Sequence, residues 1–124
     1  MAGPPGSQRK AAVATLDRPE ARPHCCPHFH QAVELVGKRW TGAILYVLIQ
    51  APGPLRFSEI AHAVPDLSDR LLSERMKELE QRKIVERHVS DGTPTKVCYE
   101  LTEKGRQLAR AMAELKVWAD RWLD

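Results

Sequence analysis

The sequence has no stretch approaching the ~18 uninterrupted apolar residues of a membrane-spanning helix; Ala43 to Ile49 is far too short. No membrane partner is expected. The opening Met1-Ala2-Gly3-Pro4-Pro5-Gly6 lacks the charged-then-apolar layout of a secretory signal, so the expected location is cytoplasmic. Cysteine is sparse: three in 124 residues, two of them adjacent, which is not a disulfide framework of the secreted kind. In a reducing compartment these are thiols, open to chemistry. Also missing are a Ser/His/Asp set, paired carboxylates and a phosphate-cradling glycine loop, so no enzyme and no cofactor are expected. A surplus of one charge is missing too. The net charge is +3, and from His28 onward fifteen Lys and Arg stand against fourteen Asp and Glu. Any affinity for nucleic acid must come from where the cations sit, not from their sum.

What is present is ordinary for a globular protein: 43% hydrophobic and 28% charged residues, with room for one domain and a modest core. Residues 1–23 hold four of the nine prolines and little apolar periodicity, and read as a flexible arm before a domain over 24–124. Pro27 suits a first helical position, which puts Cys26 at the N-cap of a helix ending at Gly37. A second, largely buried helix is predicted over Lys38 to Gln50, stopped by Pro52-Gly53-Pro54. Ser58 is the expected cap of a short helix through Val64, closed by Pro65. Ser68 then caps a longer helix reaching Arg82. Its inward stripe is Leu71, Leu72, Met76 and Leu79; Asp69, Arg70, Ser73, Glu74 and Lys77 lie outward.

After Ile84 the period changes from helical to alternating. Val97, Tyr99 and Leu101 share one strand face, and Lys96, Cys98 and Glu100 the other. Ser90-Asp91-Gly92-Thr93-Pro94-Thr95 links this strand to Val85–Val89 as the tip of a two-stranded wing. Thr102 caps a last helix on which Leu108, Met112, Leu115, Trp118 and Trp122 recur every three or four residues. Two terminal tryptophans are more apolar surface than one layer needs, which points to a partner chain. The fold class is mainly α with a small β-wing, a winged helix-turn-helix. Such a device aims one helix into the major groove of double-stranded DNA and its hairpin at the flanking backbone.

Cys26-Pro27, Leu35-Val36-Gly37-Lys38-Arg39-Trp40, Arg56-Phe57-Ser58-Glu59-Ile60, Ile84-Val85-Glu86-Arg87 and Tyr99-Glu100-Leu101-Thr102-Glu103-Lys104-Gly105 occur in consistent order. Together they resemble the HxlR-type winged-helix regulators, relatives of the MarR regulators, over about Cys26 to Trp122. The resemblance implies a homodimer joined through the first and last helices, with Phe29, Val33, Leu108, Met112, Leu115, Trp118 and Trp122 as interface candidates. It also implies two recognition helices on a palindromic operator and, more often than not, repression. Cys-Pro followed by Gly-Lys-Arg-Trp is similar to the branch that senses quinones, aldehydes and disulfide stress, with Cys26 as the matching thiol. Two departures stand out: Cys25 precedes it, and Trp118 to Asp124 carries no resolving cysteine.

The residues themselves supply candidate chemistry. Arg70 can fork onto a guanine, Ser73 can take several bases, and Glu74 can accept from cytosine or hold Arg70 or Lys77. Ser68, Asp69 and Lys77 complete the set on that helix. Arg87, His88, Thr93, Thr95 and Lys96 are candidate backbone clamps on or near the wing. A thiol at a helix N-terminus faces unsatisfied N–H groups and the positive end of the macrodipole, which favours reaction with an electrophile or oxidant; Cys25 is its neighbour. The alternatives are a regulator answering to a metal or small ligand, or a winged helix used only for protein contact. His24-Cys25-Cys26-Pro27-His28-Phe29-His30 is rich in metal-ligand types, but a helix from Pro27 turns His28 and His30 apart, so no metal is assigned there.

Overall fold

The computed structural model describes residues 22–124, so nearly all of the arm expected over 1–23 lies outside the described residues. The chain divides between Val33 and Glu34 into two units, and helix α1 (Pro27–Gly37) begins in the first and ends in the second. In the first unit the His30 N–H donates to the Cys26 carbonyl at 2.9 Å, the opening bond of the helix. Cys26 is therefore the N-cap, as the placement of Pro27 predicts.

The second unit carries α2 (Thr41–Gln50), β1 (Leu55–Arg56), α3 (Phe57–Ala63), α4 (Asp69–Gln81), β2 (Val85–Val89), β3 (Val97–Leu101) and α5 (Glu103–Trp122). Its core draws on nearly every element. Ile44, Leu45 and Leu48 of α2 meet Ile60 of α3, Leu72, Met76 and Leu79 of α4, Val85 and Leu101 of the sheet, and Ala109 of α5. The inward stripe expected on α4 is thus its buried face, except that Leu71 is only half-buried.

Three expectations need correction. Helix α2 starts at Thr41, not Lys38, because Lys38–Trp40 form a turn in which Thr41 N–H reaches the Lys38 carbonyl and Trp40 takes φ 77°. Ser58 is not a cap but lies inside α3; the Glu59 carboxylate reaches back to the Arg56 N–H at 2.8 Å, the N-cap is Arg56, and the helix starts two residues earlier. The sheet has three strands in the order β1-β3-β2, because Leu55 and Arg56 pair antiparallel with Tyr99 and Cys98.

Two close approaches fix α5 on the sheet. Thr102 accepts the Gly105 N–H at 3.0 Å and donates its hydroxyl to the Lys83 carbonyl at 2.6 Å. Gly105 lies so near the Ile84 backbone that a Cβ there would stand 2.0 Å from the Ile84 carbonyl oxygen. Only glycine lets the helix dock at this point.

Candidate nucleic-acid interface and thiol site

Helix α4 begins where the sequence says it should. Ser68 Oγ accepts the Leu71 N–H at 3.1 Å, and Asp69 places an acid in the first turn, at the positive end of the helix dipole. Thirteen residues make it about 20 Å long, a good length for the major groove. Its far end is a Schellman motif. The Ile84 N–H bonds the Leu79 carbonyl at 2.9 Å, the Lys83 N–H bonds the Glu80 carbonyl at 3.0 Å, and Lys83 takes φ 63° between them. Lys104 Nζ donates to the Arg82 carbonyl at 2.6 Å and satisfies one more end group.

The outer face of α4 carries the expected polar set. Asp69, Arg70, Glu74 and Lys77 are exposed and Ser73 is half-buried. Arg70 and Glu74 form an ion pair at 4.0 Å, one turn apart, but the Arg70 side chain is 92% exposed. A pair so open to water holds its guanidinium weakly, leaving it available to another anion.

The wing divides the remaining candidates. Arg87, opposite Tyr99 in the β2–β3 register, lines a concavity of about 340 Å³ with Ser73, Met76, Lys77, Glu80 and Tyr99. Ser73, Lys77 and Arg87, from two elements, are thereby brought to one depression beside α4. Thr93, Thr95 and Lys96 are exposed around the turn, which Ser90 closes by donating its N–H to the Lys96 carbonyl at 2.8 Å and accepting the Lys96 N–H on Oγ at 2.9 Å. His88 is placed differently: its Nε2 lies 2.7 Å from Glu100 Oε1 and 3.8 Å from Glu86 Oε2. Flanking carboxylates make it a poorer phosphate clamp than Arg87 or Lys96.

A network joins α4 to the turn after α1. Arg75 Nε donates to the Arg39 carbonyl at 3.1 Å and Arg75 Nη1 to Glu78 Oε1 at 3.3 Å, while Lys38 Nζ donates to Glu78 Oε2 at 2.7 Å. The Lys38 hydrogen bond, ahead of the charges of Lys38 and Arg75, holds the Glu78 carboxyl below its ordinary value. Sequence reading singled out Lys38 and Arg39 only as part of a motif and missed Arg75 and Glu78. Partners about forty positions apart carry no local signature.

Cys25 and Cys26 are exposed, and Cys98 is half-buried in β3, in register with both Arg56 and His88. Phe29 and Val33 are exposed on α1. On α5, Leu108 and Met112 pack against this chain's own core, whereas Leu115, Trp118 and Trp122 are 57%, 53% and 63% exposed. The tryptophans do not fold back to finish the core. Among the described residues, metal-ligand types converge only at Glu86, His88 and Glu100; the His24–His30 run forms no such group. No helix among them is long and apolar enough to cross a membrane.

Residues 35–124 match the family model described as HxlR-like helix-turn-helix. The HTH-type transcriptional regulator YodB of Bacillus subtilis is 48% identical over 99 residues, which cover 80% of this chain and 87% of that protein. The structure of quinone-bound YodB superposes with a TM-score of 0.66 at 46% identity, covering 79% of this chain and all of that one. The redox regulator HypR in its oxidised form gives a TM-score of 0.72 at 34% identity, covering 80% of this chain and 99% of that one.

Proposed function

The chain belongs to the HxlR-like helix-turn-helix family of transcriptional regulators, which are not enzymes, and on that footing we propose that it is a homodimeric repressor switched through Cys26. Two copies of α4 enter successive major grooves of a palindromic operator. Arg70, Ser73, Glu74 and Lys77 read base edges near the helix start, with Ser68 and Asp69 at its tip. Arg87, Thr93, Thr95 and Lys96 grip the backbone beside them. The observation that carries this reading is the open polar face of the Ser68-capped helix, with Arg70 almost wholly in solvent and Ser73, Lys77 and Arg87 around one depression. The near-balanced charge of the folded part fits a protein that relies on placed cations.

The two copies join through apolar faces of α1 and α5, with Phe29, Val33, Leu115, Trp118 and Trp122 as the exposed contributors and Leu108 and Met112 beneath them. Cys26, exposed at the N-cap of α1, reacts with the effector. With a quinone, its sulfur adds to a ring carbon and the ring oxygens take up protons, leaving a thioether of the hydroquinone. With a peroxide, the thiolate becomes a sulfenic acid and hydroxide leaves. Either product sits on a helix of the proposed dimer interface and shifts the spacing of the two α4 helices. Support for this chemistry comes from the quinone-bound form of YodB and the oxidised form of HypR, two proteins similar to this chain. The Cys25 thiol can attack a sulfenic acid at Cys26, forming a disulfide as water leaves, through the strained eight-membered ring of the adjacent pair or across the dimer.

Band shifts on the DNA upstream of the chain's own gene test the reading. The parent binds, the affinity falls steeply as salt rises, and a quinone or diamide releases it. Cys26→Ser binds equally well and stays bound under both reagents. Release of that variant as readily as the parent removes Cys26 from the mechanism. Absence of any salt-sensitive shift favours a winged helix used for protein contact.

A further inference from the structure

We propose that Glu86, His88 and Glu100 form a binding site for a divalent first-row transition cation such as zinc on the outer face of the wing. The sheet register makes the site. Glu86 stands directly opposite Glu100 on the neighbouring strand, and His88 lies two residues along β2 on the same face. One ligand atom from each falls within 4.8 Å of the others, with His88 Nε2 2.7 Å from Glu100 and 3.8 Å from Glu86. Zinc holds imidazole nitrogen and carboxylate oxygen at about 2.0–2.2 Å in a tetrahedron, which needs ligand atoms roughly 3.3 Å apart. The two separations from His88 bracket that value, so small side-chain rotations bring three ligands to a tetrahedral ion and leave its fourth position open.

The charges argue the same way. Two carboxylates placed directly across a strand pair repel each other. A divalent cation removes that repulsion, while the exposed rim leaves room for water in the open position. The imidazole favours zinc, nickel or copper over magnesium or calcium, which prefer all-oxygen shells. The site uses none of the N-terminal thiols, and the cation is bound whether or not Cys26 senses anything. Bound there, it ties β2 to β3 below the Ser90–Thr95 turn and offsets the charge of the two carboxylates.

The test uses the full chain carrying Cys25→Ser and Cys26→Ser, so that thiolates do not compete. Metal-free protein is titrated with zinc sulfate by calorimetry, and with cobalt(II) by visible absorption. One equivalent binds, and two surface variants, Glu86→Gln/Glu100→Gln and His88→Asn, each weaken it about tenfold or more. Zinc addition moves the amide resonances of residues 86, 88 and 100 in the parent and not in the variants. Equal uptake by parent and variants places the metal away from these three side chains and overturns the proposal; so does absence of uptake by the parent.

Discussion

Arg75 reaches out of helix α4 to donate its Nε proton to the Arg39 carbonyl at 3.1 Å, so one cation of that helix is committed to the turn that follows α1. Its side chain is only 12% exposed. Arg75 is therefore a positioning residue for α4, unlike Arg70 five residues earlier, which faces water.

The partner of that contact gives a pH-dependent prediction. Glu78 is bound by Lys38 and Arg75, and its carboxyl titrates below the ordinary value of 4.5. A depressed carboxylate contributes stability above its unfolded value, and loses it as the pH falls through the lowered folded value. Glu78→Gln should therefore cost about 0.5–1 kcal/mol near neutrality, the ordinary scale for a well-formed but exposed pair. The gap between parent and variant should close below about pH 4.5. Urea unfolding at a series of pH values measures it, and a gap that stays constant into acid rejects the assignment.

Gly105 carries the second prediction. A methyl group there collides with the Ile84 backbone, which is held in place by the Thr102 N–H on its carbonyl at 3.0 Å. Backbone cannot rotate aside as a side chain can, so Gly105→Ala should lose about 2–4 kcal/mol despite alanine's better helix propensity. Denaturant midpoints decide this. A neutral or stabilised variant means α5 docks elsewhere.

How much of this was legible in the sequence depended on range. Ser68, Thr102 and the Cys26-Pro27 pair cap helices through bonds spanning three or four residues, and each was readable from its own neighbours. Ser58 misled because a competing local bond, Glu59 to the Arg56 N–H, starts α3 earlier. Strand β1 has two residues, too few for alternation to register, and exists only because β3 lies beside it. The end of α4 was located at Arg82, but its Schellman geometry was hidden, because Lys83 occupies a left-handed position where glycine is the usual signal. The clamp from Arg75 to Arg39 and the Glu86–His88–Glu100 group depend on tertiary register, which no window of sequence contains. The outer face of α4 was readable as polar and periodic. That His88 is flanked by carboxylates was not.

Arg70 tests base reading. Its ion pair with Glu74 is weak and exposed, so Arg70→Ala should leave folding stability within about 0.5 kcal/mol of the parent. On the operator the loss should be about 1–3 kcal/mol, with relaxed preference at one base position. Equal weakening on operator and random DNA makes Arg70 a phosphate contact instead. Lys96→Ala is the control for that outcome: a backbone clamp lowers affinity for all sequences and flattens the salt dependence by about one unit.

Helix α5 tests whether the reader of DNA is a pair. Leu115, Trp118 and Trp122 are spaced three and four residues apart, so they share one face, and all three are more than half exposed in the single chain. Two-fold pairing buries the same patch on both copies, so one substitution strikes the interface twice. Trp118→Glu places a charge in each copy of that patch, where desolvation opposes association. The variant should sediment as a monomer at concentrations where the parent is a dimer, and its own fold should persist, because Trp118 is outside the core that holds α5 through Ala109. Operator affinity should fall by far more than for Arg70→Ala, since a monomer engages one half-site without the gain of a linked second site. A Trp118→Glu chain that remains dimeric moves the interface elsewhere. A parent that is monomeric while binding operator at full affinity removes the need for one.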